Sequence, residues 1–136
     1  MSPRRLQPFE FRLDPRSGVP VYRQLMDQVH GALASGWIAP GDRLPTVRQV
    51  AVDLSINPNT VIRAYRELEI RGILDTQQGT GTFVSKGEPK ADDAERQRRL
   101  DQIVTDFVAR AGAAGFSLTD LVQELKQRQS TRGDRI

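Results

Sequence analysis

Residues 55–68, SINPNTVIRAYREL, decide how the chain is read. The front of this stretch is polar and carries a proline. Its back has Val61, Ala64, Tyr65 and Leu68 at helical spacing, with Arg63 and Arg66 between them. Asn57 is suited to cap a helix, because its side chain accepts from the free amides of a first turn. Pro58 suits the first helical position, where no amide hydrogen is required. The stretch is therefore expected to be a helix that buries one stripe and shows its amino end and its arginines to the outside. Gly72 is its expected stop.

On the N-terminal side, Thr46 and Gln49 form a T-x-x-Q capping pattern that opens a short helix with Val47, Val50, Ala51 and Leu54 as its apolar positions. Before it, Pro40-Gly41-Asp42 has the composition of a tight turn, and Leu44 is a core anchor kept extended by Pro45. An earlier helix starts with Pro20 at its first position. Tyr22, Leu25, Val29, Ala32 and Leu33 share one face of it, and Gly36 ends it. Trp37 and Ile38 fold back onto the core. Phe9 to Leu13 are extended.

On the C-terminal side the period changes. Residues 73–77 and 82–84 are expected as two short strands around a tip of Gln78-Gly79-Thr80-Gly81. Helix, helix, tight turn, helix and hairpin is the order of a winged helix-turn-helix. The front of its third helix protrudes and fits a DNA major groove. The fold class expected is mainly α with a small β-hairpin, a winged helix-turn-helix domain followed by a two-helix dimerisation tail. The domain spans 9–85, a charged linker 86–93, a helical dimerisation region with room for an effector 94–129, and a flexible tail 130–136.

Within that tail, Leu100, Ile103, Val104, Phe107, Val108 and Ala111 keep helical spacing without a miss. Gly112 and Gly115 bracket a turn. Phe116, Ser117, Asp120 and Leu121 then match the staple and cap of a final helix whose apolar face is Leu118, Leu121, Val122 and Leu125. This stripe either folds onto the winged domain or meets a second copy. A helical hairpin of this length rarely has a self-sufficient core, which favours the homodimer.

Composition narrows the chemistry. The chain has 136 residues, no cysteine and one histidine, His30. Disulfides, thiolate metal sites and a cysteine nucleophile are excluded, and His30 is too isolated for a metal cluster. Asp92, Asp93, Asp101 and Asp106 lack a cation-binding loop and are better read as helix caps and solvated charge. The chain is expected to be no enzyme and to need no cofactor. Gly79-Thr80-Gly81 lacks the rest of a phosphate-binding motif. The N-terminus has no apolar run behind its arginines, and no stretch could span a membrane, so a cytoplasmic protein is expected. Net charge is +3. Between Arg43 and Arg66 four arginines stand against one acid, Asp53, so this segment alone carries the chain's excess. Lys86, Lys90 and Lys126 are the only lysines; arginine's planar fork suits phosphates and guanine edges.

VPVYRQL, APGDRLPTVRQVA, INPNTVIRAYRELEIRGIL and GTGTFV together resemble the GntR family of bacterial transcription regulators, and most of all its small YtrA-type branch. The likeness covers about Phe9 to Val84. The branch is also similar in having a brief two-helix tail where larger members carry an effector domain. The resemblance implies a DNA contact by Arg48 at the second helix, and Thr46, which caps that helix, is counted beside it as a DNA-binding residue. It places Asn57, Asn59 and Thr60 at the start of the recognition helix and Gly79, Thr80 and Gly81 at the wing tip. Arg63 and Arg66 are added by their outward spacing. Many family members have arginine where this chain has Pro58, so its sequence preference is expected to differ. The function expected is a dimeric repressor on a near-palindromic double-stranded DNA operator. The alternative is a winged-helix module for protein–protein assembly. No residue identifies a small-molecule effector. Trp37, Tyr22 and Phe107 could line a cleft for one, and core positions explain them more simply.

Overall fold

The computed structural model describes residues 8–87 and 92–133. They fall into two compact units, one ending at Gly87 and the other holding the two C-terminal helices. Expectations for the first seven residues, for 88–91 of the linker and for the last three residues lie outside the described residues.

In the first unit, α1 (Val21–Ser35), α2 (Val47–Leu54) and α3 (Pro58–Ile70) pack around one core and are followed by β1 (Leu74–Gln77) and β2 (Gly81–Val84). Leu25, Val29, Val61, Leu68 and Leu74 are fully buried. Each contributes about 1.5–3 kcal/mol relative to exposure. Phe9 and Phe11 close the core at one end, Phe9 meeting the ring of Trp37 edge-on at 5.2 Å. Among the described residues their extended segment has no strand partner. Two glutamines of α1 take that part instead: Gln28 Oε1 accepts from Arg12 N at 2.8 Å, and Gln24 Oε1 from Asp14 N at 2.8 Å. Both amide groups return hydrogen bonds to the carbonyls of the same two residues.

Pro20 is the N-cap of α1 rather than its first helical residue. Its ψ of 146° is not helical, while its carbonyl accepts from Arg23 and Gln24, as that of a cap residue does. α2 opens as expected, with Thr46 Oγ1 accepting from Gln49 N at 3.0 Å. It stops at Ser55, which adopts a left-handed φ of 56°. The Ile56 amide then reaches back to the Ala51 carbonyl, and this sharp reversal is the turn of the helix-turn-helix. α3 ends in the same manner through Gly72, with Gly72 N bonded to Glu69 O and Ile73 N to Leu68 O.

The hairpin is antiparallel, with Leu74 opposite Val84 and Gln77 opposite Gly81. Gly81 therefore belongs to β2 and not to the tip, which is Gln78-Gly79-Thr80. The segment read only as a tight turn adds a third edge to this sheet. Gly41 N donates to Val84 O, Val84 N to Asp42 O and Leu44 N to Thr82 O. The wing is thereby tied to the loop that precedes α2.

In the second unit, α4 runs Asp93–Ala113 and α5 Leu118–Gly133, beyond the boundary expected at 129. Asp92 caps α4 through Ala94 N. Gly112 lies within α4; the reversal uses Ala114 and Gly115, with Phe116 N bonded to Ala111 O. Ser117 and Asp120 form a reciprocal capping box, 3.1 Å from Asp120 N to Ser117 Oγ and 2.8 Å from Ser117 N to Asp120 Oδ2. The Ser117 amide and hydroxyl hold the Asp120 carboxyl below the usual range. Val108, Ala111 and Leu121 are half-buried. Leu100, Ile103, Val104, Phe107, Leu118, Val122 and Leu125 stay exposed, Ile103 at 64%.

Candidate nucleic-acid interface

α3 is amphipathic, and its buried stripe dictates what the other side shows. Val61, Ala64, Tyr65 and Leu68 are in the core, and the Tyr65 hydroxyl donates to the Pro45 carbonyl at 2.6 Å. Burial raises the pKa of that phenol, so it stays a neutral donor that pins α3 to the loop before α2. With that side fixed, Asn59, Ile62, Arg63 and Arg66 lie three and four residues apart on the opposite face, all exposed.

Not every expected site residue is equally available. Asn57 Oδ1 accepts from Asn59 N at 2.8 Å, and Thr46 Oγ1 is taken up by Gln49 N. Both side chains are committed as caps, which orients the helix ends. Thr60 is half-buried. Asn59, Arg48 and Arg66 are exposed without such commitments. Arg63 is exposed but placed: its guanidinium carbon stands 3.8 Å from the centroid of the Tyr22 ring. Among the described residues no acid pairs with Arg43, Arg48, Arg63 or Arg66, whereas Arg23, Arg98 and Arg128 each hold a carboxylate three or four residues away. Their guanidinium groups thus hold no ion pair within the domain, which leaves them available to a polyanion.

The wing tip carries Gly79, with a left-handed φ of 78°, and exposed Thr80, whose amide donates to Gln77 O. Thr76 of β1 hydrogen-bonds the Glu69 carboxylate, linking the wing to the back of α3. Two residues escaped the sequence reading. Arg43 lies along the wing at Gly81, and Ile62 is an apolar side chain left 37% exposed on the polar face of α3. Sequence shows Arg43 only as charge, because its place depends on the pairing of residues 41–44 with β2. Ile62 fell outside the buried stripe, and that lapse in the apolar pattern was the available signal.

The family profile described as "Bacterial regulatory proteins, gntR family" matches residues 21–84, which span α1 to the end of the wing. The HTH-type transcriptional repressor YtrA of Bacillus subtilis is 34% identical over 116 residues, 85% of this chain and 89% of its own length.

The chain belongs to the GntR family.

Its likeness runs through the tail as well as the winged unit. The HTH-type transcriptional regulator Rv1152 of Mycobacterium tuberculosis is 39% identical over 114 residues, covering 84% of this chain and 89% of that one. Among solved structures, YtrA from Sulfolobus acidocaldarius, a GntR-family transcription factor, is 31% identical with a TM-score of 0.53, covering 73% of this chain and 97% of that chain. A GntR-family regulator from Listeria monocytogenes reaches a TM-score of 0.56 at 27% identity, over 85% and 98% of the two chains. This GntR-family chain is thus a winged helix-turn-helix transcription regulator, a non-enzymatic role. Among the described residues no helix is long and apolar enough to cross a membrane.

Proposed function

We propose that the chain is a dimeric, sequence-specific repressor that binds a near-palindromic operator in the bacterial cytoplasm. One observation carries the reading. The face of α3 opposite the core presents Asn59, Arg63 and Arg66 to solvent, and among the described residues no acid forms an ion pair with either arginine. Asn59 is the side chain suited to pair with adenine in the major groove, and Arg63 and Arg66 suit guanine edges or phosphates. Arg48 and the wing tip at Gly79 and Thr80 supply backbone contacts that set the register. Thr46 and Asn57 act through the helix ends they cap, where free amides favour phosphate.

The dimer is the second half of the proposal. Each α4–α5 hairpin leaves a continuous apolar stripe exposed, from Leu100 through Phe107 to Leu125. A second copy of the same stripe would complete that core with twofold symmetry. Two recognition helices would then enter successive major grooves about 34 Å apart. Selection of bound fragments from the source genome, followed by fluorescence-anisotropy titration, tests this: a recurrent near-palindromic motif supports it, and fragments with no shared motif refute it.

A further inference from the structure

Arg63 has an obvious intrahelical partner that it does not use. Glu67 lies one turn further along α3, at the spacing where helical ion pairs form, and no ion pair joins the two. The Arg63 guanidinium instead stands over the Tyr22 ring, 3.8 Å from its centroid. Tyr22 is the second residue of α1, half-buried and packed against the core, so its ring is held in place beneath the guanidinium. Its hydroxyl has no hydrogen-bond partner among the described residues. An arginine fixed by a carboxylate has its charge offset and up to two of its five N–H donors engaged. An arginine fixed by a ring is restrained through its carbon and π surface, and both charge and donors remain for another acceptor.

We propose that Tyr22 is a positioning residue for DNA recognition: its ring holds the Arg63 guanidinium in place on α3 so that the N–H fork meets the DNA already oriented. The inference rests on the DNA-binding reading above. It adds a residue outside the helix-turn-helix, on α1, to the parts that set affinity. Its physical basis is preorganisation. A free arginine loses side-chain rotamers when it binds, and one already laid on a ring loses fewer.

The test uses the full chain and a duplex selected by the wild-type protein from a random-sequence library, with a scrambled duplex as control. Tyr22→Phe keeps the ring and is expected to bind within about twofold of wild type. Tyr22→Leu and Tyr22→Met remove it and are expected to weaken binding to the selected duplex by about three- to tenfold. In an Arg63→Ala background the same Tyr22 substitutions are expected to change affinity by less than about twofold, because the group they position is gone. Melting curves report folding, and the two ring-less variants with different shapes guard against one failing to fold.

Equal losses in both backgrounds would overturn the proposal, since a structural or direct role for Tyr22 does not depend on Arg63. So would a Tyr22→Phe loss as large as that of Tyr22→Leu, which would place the effect in the hydroxyl. A wild-type protein that selects no duplex would bring down the DNA-binding reading itself, and this inference with it.

Discussion

Arg43 Nε lies 2.9 Å from the point that a β-carbon on Gly81 would occupy. Gly81 opens β2 with a φ of 135°, a conformation open to glycine and closed to other residues without strain. The long side chain of Arg43 can swing away from an added methyl, but the backbone cannot relax its φ without breaking the pairing with Gln77. Gly81→Ala is therefore expected to lower stability by about 1–3 kcal/mol. The loss should persist in an Arg43→Ala background, as read by urea denaturation of both pairs. Full relief by Arg43→Ala would show that the side-chain clash, and not the backbone, decides.

Ser55 holds the turn between α2 and α3 with φ of 56°, the single non-glycine residue at positive φ among the described residues. A left-handed serine costs about 1–2 kcal/mol, while glycine brings an entropic cost of roughly 0.5–1 kcal/mol from the unfolded chain. Ser55→Gly should be neutral or stabilising by up to about 1 kcal/mol, and Ser55→Val destabilising by more than about 1 kcal/mol. Thermal melts give the order; valine at or above wild type would contradict it.

Arg63→Ala should weaken specific DNA binding by about 1–3 kcal/mol with little change in stability, since the side chain is exposed. Affinity of the wild type should fall steeply with salt as phosphate contacts release counterions. Gel shifts across a salt series, paired with melting curves, check both. A folded Arg63→Ala protein with unchanged affinity would remove Arg63 from the interface.

Phe107 is 44% exposed in the middle of the α4 stripe. A carboxylate there would be buried unpaired in a dimer and cost nothing in a monomer. Phe107→Asp is expected to weaken self-association on the order of a hundredfold while leaving the helical content intact. Sedimentation equilibrium with circular dichroism measures the two. An unchanged dimer would place the interface elsewhere.

Much of this architecture was legible because its signals are local. The T-x-x-Q pattern at Thr46, the Asn57-Pro58 start and the glycine after α3 each fix a helix end through the chemistry of the residues involved. The buried stripe of α3 followed from spacing alone. What escaped depends on residues distant in sequence. The pairing of residues 41–44 with β2 joins segments some forty positions apart. The Gln24 and Gln28 brackets on the N-terminal segment and the ring of Tyr22 under Arg63 likewise have no local pattern. The split between available and committed side chains was also hidden. Asn57 and Asn59 look alike as residues, and only the cap hydrogen bond separates a helix-ordering group from a free one.

Operator recognition depends most on α3 presenting a face that reads base sequence. Fluorescence-anisotropy titration of the wild-type chain against its genome-selected duplex and a scrambled duplex of equal length, at near-physiological salt, tests that directly. The expected result is saturation at two chains per duplex and an affinity for the selected sequence at least about a thousandfold above the scrambled one. Equal affinity for the two duplexes would mean that the arginines of this face hold phosphates alone, and that the chain does not recognise an operator.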